Sequence, residues 1–176
     1  MVQFCLTGYV ALLVLAAVGD ARARRIPNWL TGGVAALYPV YVLTSPTAVP
    51  WLAALAVAGT VLVVGFVLFA TCALGGGDVK LITAVSLWAG LDHLALFAAV
   101  TSLTGGALAL ATMFLRRWSG LIGAHAAALG LALKPAATGA TPDHPRPAAD
   151  KPAVTLPYGI AIAAGGLAVA ANLLTH

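Results

Sequence analysis

Six apolar stretches divide the 176 residues of this chain, at roughly 3–19, 29–44, 51–74, 79–91, 93–115 and 154–174. A helix that crosses a bilayer needs about 20 residues, with 17–25 usual. The first, third, fifth and sixth stretches meet that length, and the second is slightly short. The fourth holds 13 residues. At about 1.5 Å per residue it reaches only about 20 Å, against a hydrocarbon core of about 30 Å. Either the bilayer is thinned there, or the "GGGD" preceding it is sunk below the surface in a protein-lined cavity, where non-helical backbone is tolerated.

Composition agrees with the spans. The chain is 61% hydrophobic and 8% charged, against about 25% charged in a soluble domain. Such a chain cannot cover itself with a charged surface, so the expected class is an all-α polytopic membrane protein of about six spans in a single domain. Net charge is +4, and its distribution carries the information. If the spans alternate direction, Arg22, Arg24, Arg25, Lys80, Arg116, Arg117, Lys134, Arg146 and Lys151 all fall on one face. By the positive-inside rule that face is cytoplasmic. Both termini are then outside, in the plasma membrane, and nucleic acid is not an expected partner. The first apolar run has its basic cluster after it, the reverse of a signal peptide, and reads as a retained span.

The 116–153 segment has two parts. "RRWSGLIGAHAAALGLALK" reads as an interfacial helix anchored by Trp118, because a seventh span would move Lys134, Arg146 and Lys151 outside. "PAATGATPDHPRPAADKP" reads as a flexible loop with solvated Asp143, His144 and Asp150. Cys5 and Cys72 lie in apolar runs without a C-x-x-C pair, and are expected to be buried free thiols. Neither a phosphate-binding loop nor an H-E-x-x-H zinc motif is present, and no metal or cofactor is implied.

The chain has five aspartates and no glutamate. Asp92 sits in an outer turn. Asp20 ends the first span and Asp78 follows the third, so both arrive at the cytoplasmic side at similar depth. Each has a bland explanation, namely reach to water or, for Asp78, capping of the fourth helix. Together they are more informative. Two carboxylates held close at low dielectric share one proton, one acting as base and the other as acid. Such a pair activates water against a peptide carbonyl without a metal. Gly75, Gly76 and Gly77 have no side chains, are free to take positive φ, and admit a substrate backbone.

The residues that carry this chemistry match a known pattern. "DARARRIPN" at 20–28, "GGGDVKL" at 75–81 and "LPYGIAIAAG" at 156–165 resemble, in order, motifs of the type IV prepilin peptidases. The resemblance implies an intramembrane G-x-G-D aspartic peptidase, with Asp20 and Asp78 as the catalytic pair. It implies a prepilin-like substrate whose positively charged leader is cut on the cytoplasmic side, just before an apolar helix. The larger members' methylating domain, with its paired C-x-x-C motifs, has no counterpart here. The chain is thus similar to the short peptidases of tight-adherence (Flp-type) pili, and methylation is not expected. The archaeal preflagellin peptidases share the pattern.

Other residues receive site-shaping roles. Pro27 presets entry to the second span and Asn28 caps it. Lys80, two positions from Asp78, points away from it and anchors at the interface. Pro157 starts the last helix, Tyr158 lies at the interface, and Gly159 allows close helix packing. The rival reading is a proton-coupled carrier with Asp20 and Asp78 as relay groups. Against it, no acid or histidine marks the middle of any span.

Overall fold

The computed structural model describes residues 1–23, 26–46, 48–72, 74–128 and 158–175; side chains are not described at 23, 116 and 119–128. The described residues form six helices and no strand. They are α1 (Val2–Ala23), α2 (Asn28–Thr44), α3 (Trp51–Ala70), α4 (Gly76–Ala89), α5 (Leu94–Ala128) and α6 (Tyr158–Thr175). An all-helical fold is what lipid demands, because every backbone N–H and C=O in hydrocarbon must be paired within its own segment.

Proline and glycine set the helix ends. Pro27 precedes α2 and Pro50 precedes α3, where a missing N–H costs no intrahelical bond. The α2 end is closed by the Ser45 N–H, which donates to the Tyr41 carbonyl at 2.9 Å. After α3 the chain turns at Cys72 with φ 57°. α4 ends at Gly90, with φ 55° and ψ −158°, a conformation essentially reserved for glycine.

Among the described residues, four segments are long and apolar enough to cross a membrane: Val2–Arg22, Trp51–Ala70, Leu94–Leu115 and Tyr158–Thr175. α2 has 17 residues and α4 has 14. At about 1.5 Å per residue α4 is about 21 Å long, so the short fourth element expected from the sequence is present. The break expected at 116 is not. α5 continues through it to Ala128, 35 residues in all, past the Ser119–Gly120 pair and with no proline in the run. The chain divides into two compact units, one of 1–108 and 157–176 and one of 109–156.

The first unit is held together by small residues against large ones. α6 presents Gly166 to Leu13, Tyr9 and Val85, and Gly165 to Phe97 and Thr101. α2 presents Gly33 to Leu12, and α3 presents Gly65 to Val79. Lipid gives helices no hydrophobic reason to associate, so close backbone approach and van der Waals contact supply the cohesion. At the centre, Trp88 of α4 stacks on Tyr9 of α1 at 4.4 Å and meets the Tyr38 ring edge-on at 5.7 Å. Its Nε1–H donates to the Val34 carbonyl at 2.9 Å. Outward faces remain apolar, with Val63, Phe66 and Leu103 each more than 60% exposed. That is the expected surface of a protein whose solvent is lipid.

In the second unit, Phe114 and Trp118 of α5 pack ring against ring at 5.8 Å. Lys134, Arg146, Lys151, Asp143, His144 and Asp150 lie outside the described residues, as does the His125 side chain.

Candidate active site

Asp20 occupies the last turn of α1 and is 6% exposed. α1 packs against α2 and α6, and α6 begins beside it. Gly159, the second residue of α6, donates its N–H to Asp20 Oδ2 at 2.8 Å. The first N–H groups of a helix have no intrahelical partner, and the positive end of the helix dipole favours an anion there. A β-carbon on Gly159 would lie 2.7 Å from Oδ2 and 2.8 Å from Cγ of Asp20. Only glycine brings the α6 backbone this close.

Asp78 occupies the first turn of α4, ahead of the apolar stretch and outside the four span-length segments. The helix N-cap is Gly75, so Asp78 is the third helical residue. Its carboxylate accepts a bond from the Gly75 N–H, which is the acidic half of a capping box. The capping expected of Asp78 thus takes the form of reaching back, with Gly75 in the cap position. Gly75 has φ −75° and ψ 144°, and Gly90 is the positive-φ glycine among the described residues. The 75–77 glycines therefore provide room, and not the left-handed backbone expected of them. A β-carbon on Gly75 would lie 2.9 Å from Asp78 Oδ2. One on Gly76 would meet the Phe69 ring at 3.3 Å, and one on Gly77 would touch Ile26 at 3.5 Å.

The contact of Gly77 with Ile26 lays the segment that follows Asp20 against the start of α4. The two carboxylates are thereby within Coulombic reach. Burial, then the Asp20 charge, push the Asp78 carboxyl up to about 6, against the opposing pull of its Gly75 bond. α3 packs on α4, and α4 packs on α2 and α6, so the first turn of α4 delivers Asp78.

The remaining expected residues fall at the same end or outside the described residues. Pro27 stands at the N-cap of α2, with φ −62° and ψ 138°. Asn28 is the first helical residue and makes no side-chain cap; its Oδ1 accepts from Lys80 Nζ at 3.1 Å. Lys80 is exposed and tied to α2 by that bond, a partner the spacing did not reveal. Tyr158 is half-buried against the core, and Pro157 lies outside the described residues. Of the thiols, Cys5 is buried, but Cys72 is exposed, because it sits in the turn after α3 and not in the span. Among the described residues no three His, Cys, Asp or Glu side chains gather as metal ligands. Two contributors escaped the sequence reading: the Gly159 N–H and Ile26. The first was signalled by "PYG", a helix opening whose free N–H groups require partners.

These features define an all-α, polytopic membrane protein with two interacting carboxylates at one end of its helices. A family model described as the type IV leader peptidase family matches residues 7–110, more than half of the chain. The chain belongs to that family and is a peptidase of the membrane. The matched range contains both Asp20 and Asp78 and ends before α6. No curated protein and no solved structure gives a significant match.

Proposed function

We propose that the protein is an intramembrane aspartic endopeptidase that removes the leader of type IV pilin-like precursors of the Flp kind at the cytoplasmic face of the plasma membrane. The observation that carries this reading is the pair itself: Asp20 and Asp78, 58 positions apart in the chain, interact at one end of the helices.

The environments of the two acids suggest their roles. Asp20 accepts the Gly159 N–H at a helix start, a bond that orients its carboxyl group. Asp78, raised toward neutral pH, is the proton holder. Groups whose environments separate their proton affinities divide the labour of acid and base. The Asp20 carboxylate takes a proton from water, and the water oxygen bonds to the scissile carbonyl carbon. Asp78 gives its proton to the leaving nitrogen as the C–N bond breaks. The products are a leader carboxylate and a new amino terminus, and the dyad returns to one shared proton.

The test is co-expression with an Flp-type precursor. Asp20→Asn and Asp78→Asn each leave the precursor uncut while the protein stays in the membrane. Normal processing by either variant overturns the assignment.

A further inference from the structure

The bilayer alone cannot place α4. The helix has 14 residues, about 21 Å at about 1.5 Å per residue, against a hydrocarbon core of about 30 Å. Its rotation is set by packing against neighbouring helices. Asp78 sits in its first turn, so those contacts also aim the carboxylate.

Two faces of that turn are held. Residues three apart on a helix share a face. Gly76 and Val79 form the face toward α3, where Gly76 lies against the Phe69 ring and Val79 against Gly65. Gly77 and Lys80 form the face toward 26–28, where Gly77 lies against Ile26 and Lys80 Nζ donates to Asn28 Oδ1 at 3.1 Å. At about 100° per residue, the two faces are about 100° apart, and Asp78 stands about 180° from the line midway between them. The carboxylate is thus left on the remaining side of α4. There α4 also packs on α6, whose Gly159 N–H holds Asp20.

The contacts differ in how far they can give. Phe69 is 47% exposed, and the Lys80–Asn28 bond is exposed, so both can shift. Val79 is 6% exposed and rests on the bare backbone of Gly65, itself buried. A β-carbon on Gly65 would lie 2.8 Å from Val79 Cγ1 and 3.6 Å from both Cβ and Cγ2. We propose that Gly65 is a positioning residue for the aspartate pair: its notch seats Val79 and fixes the rotation of α4 at which Asp78 faces Asp20. The proposal rests on the peptidase reading and extends the site to α3, a helix without a carboxylate of its own. A methyl at position 65 drives Val79 out of its seat, and the adjoining Asp78 moves with it.

The same distances provide a rescue. Of the Val79 atoms, Cγ1 alone stands too close to a methyl at position 65, whereas Cβ at 3.6 Å is in ordinary contact. Val79→Ala removes Cγ1, so Gly65→Ala fits once both changes are made. The variants are reconstituted in liposomes with an Flp-type precursor, and melting in detergent confirms that each folds. Gly65→Ala lowers kcat at least about tenfold with KM within about twofold, the signature of a displaced reacting group. Adding Val79→Ala returns kcat to within about threefold of wild type. Gly165→Ala, a packing change away from the acids, lowers the melting temperature and leaves kcat unchanged, which separates positioning from loss of stability. If Gly65→Ala does not fold, Val79→Ala decides: it loosens the seat without a clash, kcat falls about fivefold, and the loss is recovered in the paired variant. Wild-type kcat in folded Gly65→Ala (or in Val79→Ala, where that variant decides), or no recovery in the paired variant, overturns the positioning role while leaving the peptidase intact. A wild-type protein that cuts no precursor removes both readings.

Discussion

The backbone N–H of Gly159 donates to Oδ2 of Asp20 at 2.8 Å, across 139 positions of sequence and in a buried setting. This bond fixes the end of α1 to the start of α6. It also aims one carboxylate, because the same glycine leaves no space for the acid to move toward α6.

Gly159→Ala tests that arrangement. Its β-carbon overlaps the Asp20 carboxylate, which has to shift while the N–H donor remains. Displacing a reacting group by about 1 Å costs on the order of a hundredfold in rate. The expected result is a kcat reduced by about that factor with KM changed little, measured on a precursor in liposomes. An unchanged kcat means that Asp20 is not held in place by this contact.

The glycines before α4 should respond unequally. Gly75→Ala places a methyl 2.9 Å from Asp78 Oδ2 and forces the carboxylate aside. Gly76→Ala meets the edge of the Phe69 ring at 3.3 Å, and Phe69 is 47% exposed and free to give way. Gly75→Ala is therefore expected to lose at least tenfold in kcat, a barrier increase of about 1.4 kcal/mol. Gly76→Ala stays within about twofold of wild type, or about 0.4 kcal/mol. Equal losses contradict a role based on room at the carboxylate.

Proton affinity gives a third prediction. The Asp78 carboxyl is raised to about 6, so the folded protein binds its proton more tightly than the unfolded chain does. Stability then increases as pH falls through about 6 toward 4, and decreases as pH rises through it. The melting temperature in detergent should be higher at pH 5 than at pH 7.5, and Asp78→Asn should flatten the difference. Asp20→Asn removes one cause of the shift, so the Asp78 titration, followed by infrared carboxyl absorption, should move to lower pH.

A pair of glycines away from the acids tests the packing. A β-carbon on Gly165 would lie 3.0 Å from the Phe97 carbonyl, which is backbone and cannot rotate away. Gly165→Ala should destabilise by about 1–3 kcal/mol. Gly106, in the middle of α5, would meet nothing within 4 Å. Gly106→Ala should stabilise by up to about 1 kcal/mol through helix propensity alone. Opposite shifts of melting temperature are the expected signature.

Much of this protein was determined by its sequence. Runs of apolar residues at span length leave helices as the answer, since lipid offers backbone groups no other partner. Prolines 27 and 50 and Gly90 mark helix ends for reasons local to the backbone. The shortness of α4 is a matter of counting, and "DARARRIPN", "GGGDVKL" and "LPYG" mark the candidate site because chemistry requires those residue types. The tertiary structure decided what depends on approach between distant segments. It delivered Asp78 to Asp20 by way of α4, turned the 75–77 glycines from flexible backbone into empty space, and set Lys80 against Asn28. It also gave Asp20 its Gly159 donor, a pairing that no periodicity encodes. Each of these follows from which small residue happens to lie opposite which large or charged one, and that is settled only when helices separated in sequence pack together.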